Sequence, residues 1–424
     1  MVRDDRFDLP LLRGLVQPRM SRRRFLGYAG MGAAGLGLSG ILAACGGTGS
    51  DAPSPSGSGT TGTTGATGTA GGFDWASQEV TGEFTFANWP LYIDQSKVDG
   101  ERVHPSLELF KQEAGIEVHY VEAIQAYDEF FAKLRVLLEA GQPSGYDLIV
   151  MGYPKWLPLM MANDFLIPLD HEQLPNFAAN AASKYKDPAY DPGNRFSIPY
   201  MSGITGIGYD PELTGREITS VMDLFDPAFE GEVGMFGDTE DMPNLTLLGM
   251  GVEPSESTED DWKAAADLLI KQRDEGLVRQ YYGQNYVNAL TSGNVALTMA
   301  WSADILQLQM GGFPNLQFVV PDEGAMLWTD SLCIPANSEH PLDALTFMDF
   351  IYRPDVAALI VGWIQNVSPV PTSQDVLRQE ASPVADSPLV YPTADMYSRL
   401  HGYRVLTPEE QQVWDQLFQP IFQG

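Results

Sequence analysis

Basic residues are scarce in this chain of 424 residues. Lys and Arg number 25 against 56 Asp and Glu, which gives a formal net charge of −31. Because phosphate binding needs a basic surface, this balance argues against nucleic acid as a partner. A strongly negative field attracts cations, although acidity alone is more often a solubility trait than a statement about a ligand.

Cysteine is scarcer still, with Cys45 and Cys333 the only two. If Cys45 is modified, as its surroundings predict below, no disulfide within the chain can form. Cys333 stands in the apolar run 331–335, where we predict an inert thiol in the core.

Motifs of catalysis are missing as well. The five histidines include no pair at the spacing of metal ligands on a helix. Gly203, Gly206 and Gly208 cluster around Thr205, but no basic residue stands nearby to meet a phosphate. We therefore expect a sheet crossover there, and a binding protein without metal or cofactor. A secreted hydrolase remains as an alternative that lacks any nucleophile–base pattern.

The N-terminus has the pattern of an export signal. Residues 21–27 read Ser-Arg-Arg-Arg-Phe-Leu-Gly and precede an apolar stretch that ends in Leu42-Ala43-Ala44-Cys45. The first motif resembles a twin-arginine signal and the second a bacterial lipobox. We predict a signal peptide over residues 1–44 and a lipid on Cys45. An uncleaved membrane helix is the alternative, which six glycines between residues 27 and 40 disfavour.

A Gly/Ser/Thr-rich segment follows, and we predict a flexible tether over residues 45–80. Residues 1–44 carry seven basic and three acidic residues, so the rest of the chain has a net charge of about −35. A lipid, a tether and a large acidic body predict a protein on the outer face of the cell membrane, or in the periplasm.

Apolar runs alternate with helical periodicity from residue 83 onward, which predicts α/β lobes with parallel sheets. Strands are predicted at 84–87, 116–121, 147–151, 233–236, 295–301 and 316–320, and helices at 105–113, 127–140, 258–276, 342–351 and 354–364. The helix 127–140 would bury Phe130, Phe131, Leu134, Leu137 and Leu138. A polar break at 180–195 suggests two lobes. Ligands of such folds bind in the cleft at the carboxyl ends of strands.

Aromatic and acidic residues stand at those positions. Trp89, Tyr92, Asp238, Asp241 and Trp301 follow predicted strands, and Trp328 and Asp330 stand in a predicted later turn. Carboxylates pair with ammonium groups and indole faces attract cations, so this set suits a slender organic polycation.

Each of these residues also has a structural interpretation. Asp238 and Asp241 have the spacing of a helix N-cap and its first-turn acid. Trp301 and Trp328 could be core residues, and Asp330 could belong to a turn. The sequence pattern by itself leaves both interpretations open.

From about Phe84 to the C-terminus the chain resembles the spermidine/putrescine-binding proteins of ABC importers. The resemblance is carried by residues 86–92, 146–150, 198–209, 293–297, 328–332, 334–336 and 353–356. Its most specific motifs are Asn-Trp-x-x-Tyr at 88–92 and Trp-x-Asp-Ser-Leu at 328–332. The resemblance implies a two-lobed periplasmic-binding-protein-like fold (type II) with a central ligand cleft, and a monomer that delivers a polyamine to an ABC permease.

The resemblance also implies a site and a division into lobes. Ligand contacts fall on Trp89, Tyr92, Asp238, Asp241, Trp301, Trp328 and Asp330, with Asp330 at one amine and the other two carboxylates at the far end. Lobe 1 would comprise 81–205 and 333–372, and lobe 2 would comprise 206–332 and 373–424. Closure would bend the crossovers near Gly206 and Leu332.

The sequence departs from the family at three places. Tyr153 substitutes for a family Ser and Tyr at the cleft and is a further expected ligand contact. Asn366-Val367-Ser368 replaces an aromatic wall, and Tyr403-Arg404 stands near a family amide. A cation at Arg404 would repel a long polyamine. It could instead pair with the carboxylate of a smaller zwitterion such as an amino-acid derivative, which is the alternative ligand.

Overall fold

The computed structural model describes residues 73–423 of the chain. Its strands are β1 (Glu83–Ala87), β2 (Ser96–Val98), β3 (Glu101–Val103), β4 (Glu117–Val121), β5 (Leu148–Tyr153), β6 (Ser197–Tyr209), β7 (Val233–Phe236), β8 (Val278–Tyr282), β9 (Leu297–Trp301), β10 (Gln317–Val319), β11 (Ala325–Cys333) and β12 (Leu400–His401). Its helices are α1 (Pro105–Ala114), α2 (Tyr127–Glu139), α3 (Trp156–Ala162), α4 (Pro175–Asn180), α5 (Pro211–Thr214), α6 (Asp241–Gly249), α7 (Glu259–Asp274), α8 (Tyr286–Thr291), α9 (Ser302–Met310), α10 (Pro341–Phe350), α11 (Pro354–Ile364), α12 (Ser373–Gln379), α13 (Ala394–Tyr397) and α14 (Pro408–Gln423).

The main sheet is mixed, with parallel pairs toward its two ends and between β11 and β12. Its order is β4-β1-β5-β11-β6-β9-β7-β8, and β10 and β12 pair with β6 and β11. The pairs β4-β1, β1-β5, β9-β7 and β7-β8 are parallel, while β5-β11, β11-β6 and β6-β9 are antiparallel. The parallel strands that we predict are therefore part of one sheet. The antiparallel strands β11 and β6 at its centre join them, and the sequence pattern predicts neither of these two strands.

The strand β6 explains why the glycine-rich segment is no phosphate cradle. All thirteen of its residues are buried, and it pairs with three other strands. A side chain on Gly206 would bring its Cβ within 2.5 Å of the Val319 carbonyl oxygen on β10. Glycine thus permits the close approach of a neighbouring strand, and the segment for which we predict a sheet crossover is a long central strand.

Two predictions about local structure are wrong. Trp328 and Asp330 lie inside the nine-residue strand β11 and not in a turn, because both edges of that strand find hydrogen-bonding partners. On α2 the buried side chains are Phe130, Leu134 and Leu138, whereas Leu137 is 39% exposed. Leu137 shares the helical stripe of Phe130 by its i+7 spacing but lies at the edge of that stripe, so the packed face is narrower than the pattern predicts.

Other predictions are confirmed. Thr258 and Asp261 form the capping box that begins α7, and Pro354 occupies the first position of α11. Cys333 is fully buried in β11, and burial raises the pKa of its thiol well above the ordinary value. This thiol is part of the core.

The predicted signal peptide, Cys45 and most of the predicted tether lie outside the described residues. At the end of that tether, Trp75 donates its indole N–H to the Pro168 carbonyl oxygen at 2.9 Å. No helix within residues 73–423 has both the length and the apolar character of a membrane span.

Candidate functional site

The first acidic centre is Asp330 on β11. Its carboxylate accepts hydrogen bonds from the hydroxyls of Tyr92, at 3.0 Å, and Tyr127, at 2.6 Å. The residue opposite Asp330 on β5 is Gly152. A Cβ there would lie 2.8 Å from the Tyr127 ring, so glycine makes the room that this ring occupies beside the carboxylate.

Asp330 is a carboxylate without a counter-ion. No ion pair in the described part of the chain includes it, and the only groups that stabilise its charge are the two tyrosine hydroxyls. Burial outweighs them and raises the pKa of Asp330 to about 6. The carboxylate is mostly ionised at neutral pH and is held there at a cost in free energy.

The second acidic centre is Asp241, the first residue of α6. Its Oδ2 accepts from the Thr205 hydroxyl at 2.9 Å and from the Trp301 indole N–H at 3.0 Å, and its Oδ1 accepts from the Tyr403 hydroxyl. Burial raises the pKa of Asp241 against these three donors. Among the described residues no Lys or Arg forms an ion pair with it either.

The strand register places both centres on one face of the sheet. On β6, Met201 lies opposite Asp330, Gly203 opposite Trp328, and Thr205 opposite Trp301. Alternate residues of a strand share a face, and four residues at ~3.3 Å each separate the two ends by ~13 Å along the strand. The two carboxylates therefore bracket a stretch of sheet with an indole between them.

That indole belongs to Trp328, and glycine positions it. A Cβ on Gly203 would lie only 2.0 Å from the Cζ2 atom of Trp328, so the ring packs directly over the backbone of β6. The indole nitrogen of Trp328 is buried and has no hydrogen-bond partner among the described residues. The ring of Trp328 supplies apolar area between the acidic centres, and its N–H remains a buried polar group there.

Aromatic rings border both centres. The rings of Trp89 and Tyr127 meet edge to face at 4.8 Å beside Asp330. Trp301 packs against Phe236 at 4.7 Å and Tyr286 at 5.9 Å beside Asp241. Each carboxylate consequently faces rings that favour cations.

Asp238 orders the loop that begins α6, and the ligand contact that the resemblance implies for it stays a prediction. One oxygen of its carboxylate accepts the backbone N–H groups of Glu240, Asp241 and Met242 at 3.0, 2.6 and 3.3 Å. This is the helix-cap interpretation. Burial and the neighbouring acids raise the pKa of Asp238 well above its ordinary value. Asp238 therefore orders the loop that presents Asp241, whatever else it contacts.

Tyr153 connects the two ends of the site. Its ring stacks on Tyr190 at 4.3 Å, and its hydroxyl donates to the backbone carbonyl of Tyr403, whose own hydroxyl holds Asp241. Tyr153 directly follows Gly152 at the end of β5. At this position, where the chain departs from the family, Tyr153 links β5 to the C-terminal segment.

The other two positions at which the chain departs from the family have different surroundings. Asn366 donates to the Tyr92 hydroxyl at 3.3 Å and so joins the Asp330 centre. Arg404 pairs with Glu410 at 2.6 Å and donates to the Ser257 carbonyl at 3.1 Å. Its guanidinium is directed at these partners and at neither acidic centre.

Sequence reasoning missed several members of the site. Tyr127 and Tyr403 come from a helix start and a late loop that carry no motif. Asp304 accepts the Tyr286 hydroxyl at 2.7 Å beside Trp301, and burial raises its pKa to about 6. The sequence pattern that indicates Asp304 is a carboxylate three residues after Trp301, in the first turn of a helix.

The chemistry of this arrangement is that of cation binding. Within residues 73–423 no group of three His, Cys, Asp or Glu side chains is arranged to hold a metal ion. The site offers separated carboxylates, hydroxyl donors that orient them, and apolar rings between. An elongated organic cation satisfies all three features.

Comparison with known proteins agrees with this geometry. Residues 107–391 match the family of bacterial extracellular solute-binding proteins. The spermidine/putrescine-binding periplasmic protein of Escherichia coli K12 is 28% identical over 311 residues, covering 73% of this chain and 83% of the relative. The putrescine-binding periplasmic protein PotF of the same organism is 27% identical over 342 residues, covering 76% and 86%.

A solved structure shares the fold. The spermidine/putrescine ABC transporter substrate-binding protein PotD of Streptococcus pneumoniae superposes with a TM-score of 0.67 at 22% identity, covering 80% of this chain and 98% of that one. This backbone likeness confirms the predicted periplasmic-binding-protein-like α/β fold.

Proposed function

The chain belongs to the bacterial extracellular solute-binding proteins, and we propose that its solute is a polyamine, putrescine or spermidine, which it delivers to the permease of an ABC importer. The family consists of solute-binding proteins, so the prediction of a binding protein and not an enzyme is confirmed.

One observation carries the choice of solute: Asp330 and Asp241 are partly or fully buried carboxylates on one sheet face with no basic partner among the described residues. Removing an unpaired charge from water is costly, and an ammonium group at each carboxylate offsets that cost. Two such groups joined by a methylene chain would neutralise both centres at once.

The rings account for the rest of such a ligand. The methylene chain would lie along Trp328, whose position over Gly203 keeps the floor of the site apolar. Cation–π attraction to Trp89 and Trp301 would add about 0.5–2 kcal/mol for each amine. The names of the sequence relatives, which bind spermidine or putrescine, support the same class of solute.

The alternative zwitterion has less support. It needs a free cation to meet its carboxylate, and Arg404 is already held by Glu410 and the Ser257 carbonyl. Nothing else basic contacts the two acidic centres in the part of the chain that the structure describes.

Titration calorimetry of the purified protein tests the proposal. Putrescine or spermidine should bind with micromolar affinity or better, about −8 kcal/mol. The uncharged diol with the carbon chain of putrescine should not bind, because it cannot neutralise the carboxylates. Silence toward both polyamines would refute the proposal.

Delivery would follow closure of the two proposed lobes, 81–205 with 333–372 and 206–332 with 373–424. Of their three boundaries, one falls within β6, one at the end of β11 and one at the start of α12, so closure would bend continuous strands near Gly206 and Leu332. Small-angle scattering should show compaction when putrescine is added, and an unchanged radius of gyration would contradict this mechanism.

Anchoring is proposed on the sequence alone. We infer that residues 1–44 direct export through the twin-arginine route, that a lipid on Cys45 holds a monomeric protein at the outer face of the membrane, and that residues 45–80 act as its tether. A Cys45→Ala variant should appear in the soluble fraction, and its retention on membranes would contradict the anchor.

A further inference from the structure

A lysine stands beside the Asp241 end of the site. Lys155 follows β5 by two residues, and its ammonium lies 3.4 Å from Asp415 of α14. Its side chain is only 15% exposed. The charge of Lys155 also acts on Glu240, the residue before Asp241, and lowers the pKa of that carboxyl against the opposing effect of burial.

Lys155 and Glu240 line one small cavity. Its volume is about 20 Å³, and its other walls include Arg404 and Trp414. That volume is room for about one water molecule. The cavity adjoins the acidic segment 238–241, since Thr239 and Glu240 both line it.

Two cations therefore face the cavity at this end of the site. Arg404 balances Glu410, and Lys155 balances Asp415 and part of the charge of Glu240. An ammonium group that entered here would be repelled by both cations and would find Glu410 and Asp415 already paired. Asp241 and Asp330 have no basic partner among the described residues and remain available for a ligand.

We propose that Lys155 is a built-in cation that closes the Asp241 end of the site to a third ammonium group, so that the site prefers a diamine over a triamine. This inference rests on the proposed function. Lys155 occupies the space that the third amine would need and balances part of the charge of Glu240, the acid with which that amine would pair.

Replacing Lys155 by a neutral side chain should free the space for a third amine and leave Glu240 available to pair with it. Lys155→Gln removes the ammonium, leaves Glu240 without its cation and enlarges the cavity. Lys155→Arg keeps the charge and the bulk, and serves as the conservative control. Lys263→Gln is a matched loss of one lysine charge in an exposed ion pair on α7.

The test is calorimetry of the full folded chain with putrescine and with spermidine at pH 7.5. The unaltered protein should prefer putrescine. Lys155→Gln should shift the ratio of the two affinities toward spermidine by about fivefold or more, because the charge that repels the third amine of spermidine is gone. Lys155→Arg and Lys263→Gln should keep the original ratio. Retained putrescine binding shows that the Gln variant is folded.

The possible outcomes distinguish a failure of this inference from a failure of the proposed polyamine-binding function. An unaltered protein that binds neither amine overturns the proposed function and this inference together. Binding with a ratio that Lys155→Gln leaves unchanged, or an equal loss for both amines, overturns the inference alone and leaves Lys155 as a link between β5 and α14.

Discussion

Replacing Asp330 by Asn should abolish polyamine binding and at the same time stabilise the ligand-free protein. The ordinary pKa of the carboxyl is 3.8, and burial raises it to about 6. A difference of about two pKa units corresponds to ~3 kcal/mol of unfavourable free energy in the folded state at neutral pH. The amide carries no charge and is free of this cost.

The net gain at pH 7.5 should be about 2 kcal/mol, because the amide matches the hydroxyls of Tyr92 and Tyr127 less well than a carboxylate does and loses ~1 kcal/mol of hydrogen bonding. Urea unfolding followed by tryptophan fluorescence measures it. Calorimetry on the same sample should show no heat of binding with putrescine.

The pH dependence isolates the charge from the altered hydrogen bonds. Since the folded-state pKa of Asp330 lies above the unfolded one, the folded protein takes up the proton first, and acidification stabilises it relative to the Asn variant. Between pH 7.5 and pH 5.0 this relative gain should be about 1.4 kcal/mol. The stability advantage of the variant should shrink by that amount.

A second aspartate provides a control of opposite sign. The Thr258 hydroxyl and backbone N–H hold the pKa of Asp261 below its ordinary value, so Asp261→Asn should destabilise the protein at pH 7.5 and leave putrescine binding intact. If Asp330→Asn were instead less stable than the unaltered protein at pH 7.5 and equally so at pH 5.0, the account of Asp330 as an uncompensated charge would be refuted.

Three further outcomes are expected. Putrescine affinity should fall about tenfold between pH 7.5 and pH 5.0 as Asp330 takes up its proton, and a flat calorimetric profile would contradict the pKa of about 6. Gly203→Ala should displace Trp328, cost about 1–3 kcal/mol of stability in urea unfolding and weaken binding, whereas Gly283→Ala, which meets no atom within 4 Å, should change neither. Tyr127→Phe removes a hydrogen bond that lowers the pKa of Asp330, so the midpoint of the pH–affinity curve should move upward, and an unmoved midpoint would exclude that contact.

The sequence predicted the elements of this fold better than their assembly. Periodicity located β1, β7, α1, α7 and α11 within a few residues, because each is a regular segment whose burial pattern is local. It did not locate β11. Trp-Thr-Asp-Ser has the composition of a turn, and only pairing with β5 and β6 on both sides makes it a strand.

The site was predictable where a motif carries it. Trp89, Trp328 and Asp330 stand in the two most specific motifs of the resemblance, and the structure places them together. Tyr127 and Tyr403 stand in no motif and act through single hydroxyls. Such contacts depend on where distant segments come to rest, which no local pattern encodes.

Asp238 shows the converse case. Its spacing from Asp241 supported a helix cap and a ligand contact equally, and the backbone N–H groups of α6 now occupy one oxygen of its carboxylate. A spacing of three residues has the same appearance in both roles. The hydrogen bonds from the backbone show the capping role, which the spacing alone does not.

The pairing of β6 with β11 has a consequence for how the molecule can be divided. Each strand is hydrogen-bonded along both edges, β11 to β5 and β6, and β6 to β11 and β9. A gene cut at the proposed lobe boundary in β6, or at the one in β11, would leave a fragment with bare strand edges and half a sheet. Neither fragment should fold by itself, and mixing the two should restore the protein only if both are present while the sheet forms.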